Sequence, residues 1–106
     1  MQIFADTANL DDLKELSSMG IIDGCTTNPT ICLKDIGCDF ETRMKAIIEL
    51  VDGDVSIEVT SNKYEEMLSQ ARQFASWGKN VVIKIPMNRD GLKAVSTLKK
   101  EGIPCN

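Results

Sequence analysis

Residues 80–86, NVVIKIP, give the clearest indication of the fold. The run of β-branched apolar residues is typical of a buried strand. A lysine is unexpected at position 84, since burying an ammonium group is costly. The stretch therefore predicts a strand and leaves the presence of Lys84 to be explained.

The same order of strand and then helix occurs three more times along the chain. The other strands are predicted at residues 2–6, 21–26 and 55–59. The helices are expected to begin at Asn9, Asp39, Ser61 or Asn62, and Asn88 or Asp90, with apolar faces that include Leu13, Met44, Met67 and Leu92. Gly20 and Gly102 are predicted helix stops, and residues 103–106, IPCN, look like the start of a fifth strand.

Strands that alternate with helices of this length pair in parallel, with right-handed crossovers. Two α/β architectures fit the pattern: an open doubly wound sheet, and part of a (β/α)₈ barrel of the TIM type. The dinucleotide fingerprint G-x-G-x-x-G and the phosphate-binding G-x-x-x-x-G-K are both missing from the sequence. The pattern alone leaves both architectures open.

The composition argues against several classes of protein. The 106 residues are enough for one small domain, and the net charge of -4 comes without a basic patch, which disfavours nucleic acid and anionic membranes as partners. No apolar run approaches the roughly 20 residues of a membrane helix, and the N-terminus does not resemble a signal peptide. A cytoplasmic location is therefore expected.

Cysteine and histidine usage narrows the possible chemistry. Cys25, Cys32, Cys38 and Cys105 lack the close spacing of a zinc site and are expected to be reduced thiols. The chain has 0 histidines, which excludes Ser-His and Cys-His pairs and a histidine base. Any reaction must use lysine, carboxyl groups, tyrosine, cysteine, hydroxyl groups or water.

Side chains alternate between the two faces of a strand, so parity shows which residues share a face. Each predicted strand places a polar group near its C-terminal end: Asp6, Thr26 with Asn28, Glu58, and Lys84. Taken singly, a strand lysine is often an edge residue, an aspartate a turn residue and a glutamate a solvated one. Four in succession favour a shared site, because parallel α/β proteins bind ligands at the carboxyl ends of their strands.

Lys84 is the predicted nucleophile of that site. A lysine in low-dielectric surroundings has its pKa lowered, and its neutral amine attacks a ketone to give a carbinolamine and then a Schiff base. The iminium withdraws electrons, so the neighbouring carbon–carbon bond can break or form. Asp6 and Glu58 are the carboxyl groups available to move protons. No metal or cofactor is required, and none is expected.

Five stretches follow one another along the chain: FADTANL (4–10), DGCTTNPT (23–30), SIEVTS (56–61), VVIKIPM (81–87) and DGLKAVSTLKKEGI (90–103). Together they resemble the transaldolase family, in particular its small bacterial branch, which includes the fructose-6-phosphate aldolases. The resemblance implies a (β/α)₈ TIM barrel that forms a Schiff base with fructose 6-phosphate or sedoheptulose 7-phosphate. It also implies transfer of a dihydroxyacetone unit to an aldose phosphate in the pentose phosphate pathway. An aldolase that releases free dihydroxyacetone is the alternative reaction.

The resemblance also assigns roles to the residues that match its motifs. Lys84 matches the Schiff-base lysine, and Asp6 the acid/base for carbon–carbon cleavage. Thr26 and Asn28 match groups that contact the hydroxyls of the donor. Glu58 matches the acidic residue that moves protons through a water during Schiff-base formation. Because aldolase members tend to have glutamine there, Glu58 favours transaldolase.

The chain is shorter than the fold of this family requires, because a complete (β/α)₈ barrel needs at least about 200 residues. Residues 1–106 are therefore predicted to be the N-terminal half of a transaldolase-like TIM barrel, with four βα units and the start of strand five. Three explanations of such a half are open: a truncated or proteolysed product, which is favoured, a half that pairs with a copy of itself, and a half captured within a larger assembly. A catalytically silent half-barrel fragment or assembly module is the alternative function. The expected partners are small-molecule sugar phosphates and further copies in a homo-oligomer, with neither nucleic acid nor membrane.

Overall fold

The computed structural model describes residues 1–28, 30 and 39–106, along which strands and helices alternate as expected. The elements are β1 (Phe4–Asp6), α1 (Leu10–Ser18), β2 (Gly24–Thr26), α2 (Phe40–Leu50), β3 (Asp54–Glu58), α3 (Tyr64–Ala75), β4 (Val81–Lys84) and α4 (Arg89–Lys100). The fold is α/β, with a parallel sheet in the strand order β1-β2-β3-β4. The fold class is confirmed to this extent, and closure into a TIM barrel stays a prediction. None of the described helices combines the length and apolar character needed to cross a membrane.

The first of two compact units spans Met1–Val55. β1 and β2 pair in parallel, with Asp6 opposite Thr26 at their carboxyl ends. Asp23 anchors the start of this pairing, since its N–H donates to the Ile3 carbonyl and its carboxylate accepts from the Ile3 N–H, each at 2.7 Å. β2 is shorter at its N-terminal end than predicted, because pairing begins only after this anchor. The core of the unit includes Ala5, Leu13, Cys25, Met44 and Ile47.

Helices α1 and α2 begin at their predicted caps. Asn9 Oδ1 accepts from the Asp12 N–H at 3.0 Å, and the Asp39 carboxylate accepts from the Thr42 N–H at 3.1 Å. These bonds satisfy backbone donors that a helix start leaves unpaired. Hydrogen bonds from the hydroxyl and the N–H of Thr42 also lower the pKa of Asp39. Gly20, with a φ of 68° just after α1, confirms the predicted helix stop.

The second unit spans Ser56–Asn106. In β4, Val81 and Ile83 are buried whereas Val82 and Lys84 are half-exposed. This alternation is that of a strand with one buried face. α3 packs against α4 and against β4. The core of the unit includes Ile57, Val59, Met67, Ala71, Phe74, Ala94 and Leu98.

The start of α3 differs from the prediction. Its N-cap is Lys63, and neither Ser61 nor Asn62 takes that position. The Lys63 side chain makes no capping hydrogen bond. The cap comes instead from the neighbouring helix, because the Asp90 carboxylate accepts from the Tyr64 N–H at 3.1 Å. A partner that lies 26 residues further along the chain leaves no local signal in the sequence.

α4 begins at Asn88, one of its two predicted starts, and Asn88 Oδ1 accepts from the Gly91 N–H at 2.7 Å. The buried residues of this helix are Gly91, Ala94 and Leu98. Leu92 is 58% exposed, so its assignment to the buried face is wrong. The helix can turn Gly91 inward because this residue has no Cβ. A Cβ at this position would lie 1.9 Å from the Pro86 carbonyl oxygen, so only glycine permits the close approach.

Residues 103–106 pair with β4, as expected for the start of a further strand. Ile83 forms a parallel bridge with Cys105. The Ile83 N–H donates to the Pro104 carbonyl at 2.9 Å, and the Ile83 carbonyl accepts from the Asn106 N–H at 2.8 Å. The edge of β4 is therefore partly covered by the last residues of the chain.

Replacing Gly91 with alanine is expected to lower the free energy of unfolding by about 2–4 kcal/mol. The added Cβ would meet a backbone oxygen, which cannot rotate away as a side chain would. Urea unfolding followed by circular dichroism measures the change. Gly102→Asn is the matched control, because Gly102 has a φ of 78° with open space around it and asparagine tolerates that conformation. Equal stabilities of Gly91→Ala and the original protein would contradict the close approach.

Candidate functional site

Four of the five predicted site residues are the last residues of their strands. Asp6 ends β1, Thr26 ends β2, Glu58 ends β3 and Lys84 ends β4, while Asn28 lies just beyond β2. Asp6, Thr26 and Asn28 belong to the first compact unit, and Glu58 and Lys84 to the second. The predicted site residues therefore form two groups, one in each unit.

In the first unit, a hydrogen bond joins Asp6 to Thr26. Thr26 Oγ1 donates to Asp6 Oδ1 at 2.9 Å, as their opposite positions in the register allow. A hydroxyl that donates to a carboxylate holds it in one orientation. Asp6 is exposed and Thr26 and Asn28 are half-exposed, so a ligand can approach all three from solvent.

The loop after Asp6 is held by contacts from β2 and α2. The Thr7 carbonyl accepts from Cys25 Sγ at 3.2 Å, and the Ala8 carbonyl accepts from Arg43 Nη1 at 2.8 Å. Sequence reasoning misses Arg43, because it lies 35 residues from Ala8 and nothing in the local pattern connects them. These contacts limit the freedom of the backbone that carries Asp6.

The thiols follow the sequence prediction where they are described. Cys25 and Cys105 are free, and Cys32 and Cys38 lie outside the described residues. Burial raises the pKa of the Cys25 thiol from 9.0 to about 11. A thiol with so high a pKa is protonated at neutral pH and is a poor nucleophile.

The raised pKa of Cys25 predicts a loss of stability at alkaline pH. Between pH 9.0 and about 11 the unfolded chain releases this proton and the folded chain keeps it, so the free energy of unfolding falls as pH rises. We expect the fall to be steeper than in Cys25→Ala by about 1 kcal/mol per pH unit. Urea unfolding at several pH values in this range measures both slopes. Parallel slopes for the original protein and Cys25→Ala would contradict the prediction.

In the second unit, Glu58 and Lys84 are opposite each other on neighbouring strands. The Val59 N–H donates to the Lys84 carbonyl at 3.2 Å, and in a parallel pair this bond sets Glu58 opposite Lys84. Neighbouring strands are about 4.8 Å apart, so the two side chains begin within reach of each other. Both are half-exposed, and the residues described here do not provide the buried surroundings expected for Lys84.

Asn106 is a site candidate that sequence reasoning misses. Its N–H donates to the Ile83 carbonyl and its carbonyl accepts from the Ile85 N–H, which sets Asn106 opposite Lys84 on the other side from Glu58. Its side-chain amide can both donate to and accept from a ligand hydroxyl. In the sequence, the only indication is the alternation of residues 103–106. That alternation identifies Asn106 only once the pairing of these residues with β4 is known.

An open cavity of about 380 Å³ lies between β1 and α1 in the first unit. Its lining consists of Ala5, Asp6, Thr7, Asp12, Glu15, Leu16 and Met19. The carboxylates in this lining would repel a phosphate dianion, so the cavity is unsuited to the phosphate end of a sugar phosphate. Across the part of the chain that the structure describes, no cluster of cysteine and carboxylate side chains is arranged to hold a metal ion.

The sequence model of the transaldolase/fructose-6-phosphate aldolase family matches residues 3–106. The chain belongs to this family. Relatives named probable transaldolase occur in Lactiplantibacillus plantarum, Streptococcus equi subsp. zooepidemicus and Roseiflexus sp., with identities of 51%, 49% and 47% over 106 residues. Each alignment covers 100% of this chain but only 48%, 49% and 49% of these relatives. The chain thus spans about half the length of the curated relatives it matches, and the resemblance to transaldolases is confirmed.

Proposed function

We propose that Lys84 is the Schiff-base nucleophile of a transaldolase, which transfers a dihydroxyacetone unit from fructose 6-phosphate or sedoheptulose 7-phosphate to an aldose phosphate. The observation that carries the proposal is the position of Lys84 at the end of β4, opposite both Glu58 and Asn106, in a chain of this family. An amine beside a carboxylate and an amide has the groups that imine formation requires: a nucleophile, a proton carrier and a partner for a substrate hydroxyl.

The Schiff base forms in two steps. The amine of Lys84 attacks the ketone carbon of the donor, and a proton moves from the nitrogen to the former carbonyl oxygen to give a carbinolamine. Glu58, acting through a water, then protonates the carbinolamine hydroxyl, which leaves as water and gives the iminium. The strand register supports this role, because it places Glu58 directly opposite Lys84, with both side chains on the same face of the sheet.

Carbon–carbon cleavage uses the first group of site residues. The electron pair of the bond next to the iminium moves into it, and the hydroxyl proton of the departing aldehyde passes to Asp6. The enamine left on Lys84 attacks the acceptor aldehyde, and Asp6 returns the proton before water releases the product. Asp6 suits this role because its exposed carboxylate is oriented by Thr26. Thr26 and Asn28 are proposed to contact the donor's hydroxyls.

Hydride trapping tests the Schiff base. Two preparations are used: the 106-residue chain, and a chimaera in which it replaces the matching part of the Lactiplantibacillus plantarum protein. Sodium cyanoborohydride delivers hydride to the iminium carbon, so the donor should remain attached to Lys84 as a stable amine, either whole or as the dihydroxyacetone unit left after cleavage. Peptide mass spectrometry locates the adduct. The absence of an adduct in the chimaera, or an adduct on another lysine, would contradict the proposal.

Fructose-6-phosphate aldolase is the second candidate, because the family description names both activities. Glu58 favours transaldolase, since aldolase members of the family tend to have glutamine there. Measuring dihydroxyacetone release from fructose 6-phosphate, with and without erythrose 4-phosphate, separates the two reactions. Release that needs no acceptor would establish the aldolase.

A catalytically silent half-barrel is the alternative for the 106 residues taken alone, because the chain spans about half the length of its relatives. Under this alternative the chimaera forms the adduct and the short chain does not. Sustained turnover by the short chain would exclude it. The proposal further includes a cytoplasmic location and a homo-oligomer, which cell fractionation and sedimentation velocity test directly.

A further inference from the structure

We infer that Asp90 is a positioning residue for the Schiff-base site: by binding the Tyr64 N–H, it keeps the loop after Glu58 aligned with the loop after Lys84. The inference rests on the proposed function of Lys84 and Glu58, and it adds the residue that maintains their spacing. Asp90 itself touches neither of them, so it acts through the backbone.

Hydrogen bonds connect the two loops from the strand ends to the helix starts. They run from the Val59 N–H to the Lys84 carbonyl (3.2 Å), from Asn88 Nδ2 to Asn62 Oδ1 (3.4 Å) and from the Tyr64 N–H to the Asp90 carboxylate (3.1 Å). The contacting positions are 25, 26 and 26 residues apart, so they advance nearly in step along both loops. The alignment of β3 with β4 thus continues beyond the strands, as far as the first turns of α3 and α4.

The bond to Asp90 is the strongest of these connections between the loops. Its acceptor is charged and its setting is partly buried, whereas the contact between Asn88 and Asn62 is long and exposed. A carboxylate is also favoured at a helix N-terminus, where the N–H groups carry partial positive charge. Lys63 gives α3 no side-chain cap. The Asp90 carboxylate therefore provides the Tyr64 N–H with an acceptor that α3 itself does not supply.

Tyr64 also contacts α4 through its side chain. Its hydroxyl lies 2.7 Å from Thr97 Oγ1, and Lys93 Nζ lies 4.7 Å from the centre of its ring. These contacts hold the tyrosine ring against α4 without Asp90. Removal of the Asp90 carboxylate should therefore loosen the link between the start of α3 and the loop after Lys84, while the two helices stay packed. The loop after Glu58 should stay joined to α3, because Thr60 bonds to Gln70 and Ser61 bonds to Glu66.

A shift of the loop after Glu58 relative to the loop after Lys84 should affect imine formation, since Glu58 immediately precedes the shifted loop. A displacement of about 1 Å in a catalytic group can lower a rate by about a hundredfold. We expect the rate constant of adduct formation on Lys84 to fall by about tenfold to a hundredfold in Asp90→Ala. Asp90→Asn keeps an oxygen that accepts from the Tyr64 N–H, so its rate should stay within about threefold of the original.

The experiment measures two quantities by hydride trapping of the chimaera with fructose 6-phosphate. One is the rate constant of adduct formation, and the other is the final fraction of chains that carry the adduct. A residue needed only for stability would lower the final fraction and leave the rate constant of the folded chains unchanged. A positioning residue lowers the rate constant and leaves the final fraction unchanged. Glu65→Ala, which removes the same charge from the first turn of α3, is the matched control.

The result that supports the inference is a slow Asp90→Ala with a full final fraction, together with near-normal rates for Asp90→Asn and Glu65→Ala. An unchanged rate constant in Asp90→Ala, or an equal slowing in Glu65→Ala, overturns it while the proposed function stands. The rate constant of Asp90→Asn must stay near that of the unmodified chimaera. A slow Asp90→Asn would show that the hydrogen bond to the Tyr64 N–H is not the cause of the effect. If the unmodified chimaera forms no adduct, the proposed function fails and the inference fails with it.

Discussion

Replacing Lys84 with methionine is expected to lower transaldolase turnover of the chimaera by about 10⁴-fold or more, because the loss of a covalent nucleophile removes the whole reaction path. No adduct with fructose 6-phosphate should form at this position. Methionine keeps the unbranched shape of the side chain, and Lys84 is half-exposed, so the free energy of unfolding should change by less than about 0.5 kcal/mol. A coupled assay of glyceraldehyde 3-phosphate formation measures turnover.

Lys79→Met is the control for that substitution. Lys79 is exposed in the turn before β4, so the same change in charge and shape is made nearby without touching a strand end. Its turnover and its adduct should match those of the unmodified chimaera. Turnover of Lys84→Met within tenfold of normal would contradict the role of Lys84 as the nucleophile.

Replacing Asp6 with asparagine is expected to slow carbon–carbon cleavage by about 10²- to 10⁴-fold, which is the usual contribution of a positioned acid/base. The adduct on Lys84 should still form at a near-normal rate, because Schiff-base formation is assigned to Glu58. Asparagine keeps an oxygen that can accept from Thr26, so the geometry of the pair should survive. Single-turnover measurements of aldehyde release and of hydride trapping separate the two steps.

Asp12→Asn is the control for the change at Asp6. Asp12 lines the same cavity between β1 and α1, so the control removes one negative charge from the same surroundings. It should leave both steps within about twofold of normal, as expected for a surface substitution away from the reacting groups. Loss of the adduct in Asp6→Asn would mean that Asp6 acts in Schiff-base formation or in folding, against its assigned role.

The strand ends were predictable because their signal is local. Parity along a strand decides which residues share a face, and it correctly separated the buried Val81 and Ile83 from Lys84. The caps at Asn9 and Asp39 followed from the same kind of reasoning, since each bonds an N–H three residues further along. The order of the elements therefore needed little beyond the sequence, whereas the starts of β2 and α3 did not follow from it.

The contacts that the sequence did not reveal are long-range ones. The bonds from Arg43 to Ala8 and from Tyr64 to Asp90 join positions far apart in the chain, and several acceptors were equally plausible for each donor. Leu92 was misplaced for a related reason, because the rotation of α4 depends on how closely its backbone approaches another segment. Tertiary packing, and not intrinsic preference, determines such details.

The in-step contacts between the loops after β3 and β4 have a consequence for how members of this family diverge. Tyr64 follows Glu58 by as many residues as Asp90 follows Lys84. An insertion in only one of the two connections, β3 to α3 or β4 to α4, would shift Tyr64 relative to Asp90 and break the hydrogen bond between them. We therefore expect the two connections to change length together during evolution, and loop exchange between relatives to succeed when both are exchanged as a pair.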